Sequence, residues 1–129
     1  MNSMSFTFQK ADATGGFVRG WASVISIDGK SIEDTQGDII EMSELRKAAH
    51  AFVTEARVAK VMHRGSQAGE VVESVLVDDE FAKALGVKDG RRGWWIGMRI
   101  DDDRIRKQVR DGELRAFSIG GRGQRVKVA

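Results

Sequence analysis

Apolar residues in this chain change their spacing several times, and each change marks a boundary between elements. Residues 5–10 alternate weakly, and residues 16–27, Gly-Phe-Val-Arg-Gly-Trp-Ala-Ser-Val-Ile-Ser-Ile, are dense in β-branched and aromatic types. Two early strands are predicted there, followed by a polar loop from Asp28 to Asp38. From Ser43 the period becomes helical: Leu45, Ala48, Ala49, Phe52, Val53 and Ala56 fall at i, i+3, i+4, i+7, i+8 and i+11, with Ser43 placed to cap. Extended spacing returns over Val58 to His63 and Glu70 to Val77. The second of these carries apolar residues on both faces, so cover on both sides is expected. Asp78 to Leu85 predicts a short helix stopped by Gly86, and Gly93 to Ile100 a strand holding Trp94-Trp95. The run Asp101-Asp102-Asp103 is placed to cap and charge-stabilise a helix through Arg110 that ends at Gly112. Leu114 to Ile119 and Gln124 to Val128 supply the last strands. About six or seven strands interrupted by three helices, without β-α-β alternation, predict an α+β domain around a small barrel.

Composition narrows the chemistry. A chain of 129 residues fits one domain with a core of its own. Zero cysteines remove disulfides, thiolate chemistry and cysteine zinc sites together, and two histidines argue against a metal centre, so no cofactor is expected. The start, Met-Asn-Ser-Met-Ser-Phe-Thr-Phe, has neither a basic n-region nor an apolar h-region, and no apolar run approaches the ~20 residues of a membrane span. A soluble, intracellular chain without a membrane partner is the expectation. The 21 basic and 19 acidic residues nearly cancel, so overall charge makes no demand for a nucleic-acid partner.

The chemistry-bearing positions are few. Ser118 closes a strand-like run, Arg115-Ala116-Phe117-Ser118-Ile119, and two glycines follow it, leaving nearby backbone N–H groups unshielded. An acyl-transfer nucleophile belongs in such a place, and a small strand residue beside a glycine bulge fits it equally. A serine hydroxyl needs a base, and His50 and His63 are the two histidines of the chain. His63 shares a face with Ala59 and Val61, which suits either a structural histidine or a base at the end of an apolar row. His50 faces water on its helix and is the weaker candidate. Alternation sets Glu73 on the face of Val71, Val75 and Val77, where a carboxylate needs a partner: an arginine, or a histidine that it orients. Asp38, Asp78 and Asp111 are substitutes for that role, and Ser66 and Ser74 are rival nucleophiles. Asp34 to Ile40 lacks the ligand density of a calcium loop and reads as a turn into a strand. Trp94 and Trp95 alternate faces, so one is assigned to the core.

The ordered set Gly20-Trp21-Ala22-Ser23-Val24, Asp34-Thr35-Gln36-Gly37-Asp38-Ile39-Ile40, Met62-His63-Arg64-Gly65, Val72-Glu73-Ser74, Gly93-Trp94-Trp95-Ile96-Gly97 and Arg115 to Gly121 resembles the phage serine proteases of the XkdF type. These in turn are similar to phage prohead proteases and the herpesvirus assemblins. The resemblance covers roughly residues 16 to 122 and implies a β-barrel ringed by helices, with His63 as the family's histidine and Ser118 as its nucleophile. It implies an acidic third member, for which Glu73 is chosen, with a Ser-His dyad as the fallback, because no histidine follows Ser118 as one does in assemblins. Backbone N–H groups near Gly120 and Gly121, helped by Arg122, are the implied oxyanion site. The implied substrates are scaffold and major capsid proteins, and the protease itself, inside the prohead assembling in the bacterial cytoplasm. The assemblin likeness also implies a homodimer. Two other classes stay open: a non-catalytic module that binds scaffold or capsid protein, and a small barrel that binds single-stranded nucleic acid through Trp94 or Trp95 and the basic C-terminal end.

Overall fold

A computed structural model describes residues 4–33, 37–55, 58–61 and 67–119. The N-terminal alternation gives two short strands, β1 (Met4–Thr7) and β2 (Lys10–Ala11), then the long β3 (Phe17–Ile27) and the brief β4 (Lys30–Ser31). Asp28 at φ 50° and Gly29 at φ 82° form the turn between β3 and β4, where a two-residue hairpin needs positive φ at both places. Helix α1 (Met42–Glu55) buries Leu45, Ala49 and Phe52, the stripe its period predicts. It starts one residue before Ser43, so that serine lies inside the first turn and does not cap; the Glu41 carbonyl accepts from the Glu44 and Leu45 amides.

After α1 come β5 (Val58–Val61), β6 (Gln67–Val77), α2 (Asp79–Leu85), β7 (Arg91–Ile100), α3 (Asp103–Arg110) and β8 (Ala116–Ile119). Local chemistry fixes the helix ends. The Asp78 carboxylate accepts from the Phe81 amide at 2.7 Å and starts α2, which Gly86 stops at φ 69°. Asp102 accepts from the Arg104 and Ile105 amides and starts α3. The strand expected over residues 124–128 lies outside the described residues.

The strands make one antiparallel sheet in the order β1-β8-β5-β6-β7-β3-β2, with β4 paired to β3. This is the expected α+β architecture with its three helices, but the hydrogen-bonded path is open rather than a closed barrel. Its two ends, β1 and β2, are nevertheless separated in the chain by Phe8 and Gln9 alone. One face of the sheet holds the core: Phe6, Val18, Trp94, Ile96, Met98 and Phe117 are fully buried, each side chain contributing roughly 1.5–3 kcal/mol. Phe52 of α1 meets Trp94 edge-on at 5.5 Å, and Ile105 and Val109 anchor α3. Because Phe117 and Ile119 belong to this core, alternation sets Ala116 and Ser118 on the other face of β8.

Candidate active site

β8 is paired on both sides, which fixes the backbone at Ser118 in place. The register sets Ser118 opposite Ser5 on β1 and Lys60 on β5. Both are polar positions that strand periodicity alone does not select, since pairing rather than alternation brings them into one row. Ser118 is 7% exposed, and among the described residues it is the one polar residue in the buried set. Its hydroxyl has no hydrogen-bond partner among the described residues. Among the described residues the buried side-chain polar atoms left without a partner are Arg19 Nε and Trp21 Nε1, and the Ser118 oxygen is not one of them.

His63, Ser66, Gly120, Gly121 and Arg122 lie outside the described residues. What is described is the approach to them: β5 ends at Val61, which stands opposite Phe117, one position from Ser118. β8 in turn ends at Ile119, immediately before Gly120.

Glu73 is placed differently from its sequence expectation. Pairing of β6 with β7 slips between Val71 and Glu73, leaving Val72 as an extra residue. The bulge breaks the alternation, so Val71 is buried while the Glu73 side chain is 53% exposed. Its carboxylate accepts from Arg19 at 3.3 Å, the arginine partner that its sequence position left open. The register also separates it from Ser118: Ser118 is opposite Lys60, Lys60 is opposite Gln67, and Glu73 lies six residues further along β6. At 3.3 Å per residue that is about 20 Å, so the described strands do not bring Glu73 to Ser118.

His50, Ser74 and Asp78, scattered in sequence, line one cleft between α1, β6 and α2. Two of the three are already occupied. The Ser74 hydroxyl accepts from the Trp94 indole at 2.8 Å, and Asp78 caps α2 while pairing with Arg46. The Phe81 amide, and then the Arg46 guanidinium, hold the Asp78 carboxyl below the ordinary carboxylate value. Asp111 is likewise paired, with Lys107 at 2.6 Å. Trp94 is the core member of the tryptophan pair, and Trp95 packs edge-on against Trp21 at 5.3 Å. Among the described residues no cluster of metal-ligating side chains occurs, and no helix is long and apolar enough to cross a membrane.

The family described as "Putative phage serine protease XkdF" matches residues 7–127. The chain belongs to that family. Two curated proteins of Bacillus subtilis (strain 168) are similar to it. "Phage-like element PBSX protein XkdF" is 32% identical over 91 residues, covering 70% of this chain and 32% of that protein. "Uncharacterized protein YqbD" is 28% identical over 96 residues, covering 73% of this chain and 29% of the relative. The chain therefore spans about a third of the length of these relatives. No solved structure matches it. The span matched to the XkdF family contains both His63 and Ser118. Membership supports a serine hydrolase at the level of the family.

Proposed function

We propose that this chain is a serine endopeptidase domain that processes proteins of an assembling phage head, with Ser118 as nucleophile and His63 as general base. The observation that carries the reading is Ser118 itself, a serine held in a strand paired on both sides, in a chain of the XkdF family. In this reaction His63 takes the Ser118 proton as Oγ attacks a peptide carbonyl, and passes it to the leaving amine when the acyl-enzyme forms. Water then repeats the sequence and releases the acid. Amides near Gly120 and Gly121, with Arg122 beside them, stabilise the oxyanion; one such donor is typically worth about 3 kcal/mol in the transition state. Since Glu73 is engaged by Arg19, the catalytic group is taken as the Ser118-His63 dyad. Scaffold and capsid precursors in the prohead, within the bacterial cytoplasm, are the substrates of this reading.

Its test is the intact mass of the protein after incubation with a fluorophosphonate. One stoichiometric adduct is expected, lost in Ser118→Ala and slowed at least a hundredfold in His63→Ala. The low exposure of Ser118 favours a second reading, a non-catalytic module that binds head proteins. Absence of any adduct together with normal scaffold binding would establish that alternative.

A further inference from the structure

β6 is paired unequally along its two sides. β7 accompanies it from Gly69 to Val77, whereas β5 reaches only from Gln67 to Glu70. Among the described residues nothing pairs with the far side of residues 71–77. A strand with one antiparallel neighbour turns every second amide and carbonyl outward, so this stretch is an open template in the middle of the sheet. Val72, Glu73 and Ser74 are exposed along it.

Ser74, Val75 and Leu76 of this stretch line a groove of 680 Å³. Val53, Leu76, Phe81 and Ala84 give the groove apolar surface, with α1 and α2 as its walls. From Arg46 to Thr54 the α1 wall measures about 12 Å, the length of about four residues of extended chain. Charge narrows what fits. Arg46 and Asp78 are paired with each other, whereas Glu80 has no ion-pair partner among the described residues, which leaves one uncompensated carboxylate on the groove lining.

We infer that the open edge of β6 is a docking site for an extended peptide segment of a protein partner. The segment adds as a strand beside residues 71–77, lays alternate apolar side chains into the groove and sets a lysine or arginine against Glu80. The inference rests on main-chain pairing and groove charge, and it stands whether or not Ser118 is a nucleophile. A segment beside residues 71–77 starts four residues beyond Gln67, about 13 Å along β6 from the row of Ser118.

The probe is an acetylated, amidated seven-residue peptide of alternating lysine and valine, titrated into the isotopically labelled full chain and followed by amide resonances. Saturable binding is expected, with the largest shifts and slowed hydrogen exchange at Val72, Ser74 and Leu76. The same peptide N-methylated at alternate amides should bind at least tenfold more weakly. Ala84→Arg, a substitution at an exposed helix position, should also weaken it tenfold while leaving the remaining resonances in place. Replacing the lysines of the probe by glutamate should weaken binding to the wild type and restore it to Glu80→Lys. No binding at millimolar peptide, shifts centred elsewhere, or indifference to N-methylation would overturn the inference. Concentration-dependent protection of residues 71–77 without peptide, with a dimeric mass, would give the edge to a second copy and overturn it equally.

Discussion

At Gly97 a side chain would displace its neighbours: a Cβ there comes within 2.7 Å of the Glu73 carboxylate and 2.8 Å of the Phe17 ring. The glycine lets Arg19 and Glu73 meet across β7, with the guanidinium 4.8 Å from the centre of the Phe17 ring. Both members are largely in water, and exposed pairs of this kind are worth at most ~1 kcal/mol. Glu73→Gln is therefore expected to shift stability by less than about 1 kcal/mol in denaturant unfolding and to leave the fluorophosphonate adduct rate unchanged. A loss of tenfold or more in that rate, with the fold intact, would return Glu73 to the catalytic group. Ser118 is the opposite kind of residue: it is 7% exposed, and Ser118→Ala breaks no hydrogen bond to a described residue. It should abolish the adduct while leaving the unfolding midpoint within about 1 kcal/mol of wild type or higher.

Helix α2 owes its start to one side chain. Asp78 accepts from the Phe81 amide and also holds Arg46 of α1, so removing it uncaps one helix and unties it from another. Asp78→Ala is expected to cost roughly 1–2 kcal/mol, read as a shift of the urea midpoint. The folded state holds this carboxyl below its ordinary value, so its contribution is complete above about pH 4 and disappears as pH falls through the lowered value. The stability gap between wild type and Asp78→Ala should thus close on acidification. Asp89 behaves in the same sense: the Arg91 side chain and amide hold it at about 2, so its contribution fades between about pH 4 and pH 2. Local signals of this type explain why α2 and α3 are legible in sequence: the Asp78 and Asp102 caps and Gly86 act within a few residues of themselves. The apolar stripe of α1 is legible for the same reason, although its first residue is not, because Glu41 rather than Ser43 supplies the first carbonyl. Pairing is what sequence conceals. The bulge at Val72 turns Glu73 outward, and β4 consists of two residues without a pattern of their own. Strand β8 and the position of Ser118 on it were readable from alternation, whereas its neighbours Ser5 and Lys60 come from register across three separate strands.

At the scale of the whole molecule the decisive joint is the step from Phe8 to Gln9. The Phe8 amide donates to the Arg115 carbonyl, just before β8, and the next amide, that of Gln9, donates to the Arg19 carbonyl on β3. One short segment thus ties together the two far ends of a sheet whose ladder does not itself close. Gln9 strengthens the tie by accepting from the Trp21 amide at 2.8 Å through its side chain. That approach depends on Gly20, where an added Cβ would stand 2.0 Å from the Gln9 side-chain oxygen and 2.9 Å from its backbone nitrogen. Gly20→Ala therefore cannot be absorbed by a rotamer change alone, since main chain is also in the way. Its expected cost is about 1–3 kcal/mol, the range of small overpacking changes in well-packed regions. The location of the effect distinguishes stapling from general loosening. Hydrogen exchange should accelerate at Gln9, Trp21 and the amides of β1 and β2 while those of α2 keep their wild-type rates relative to global unfolding. Uniform acceleration across the sheet would mean that the two ends are held by the core, through Phe6 and Val18, rather than by the segment that joins them.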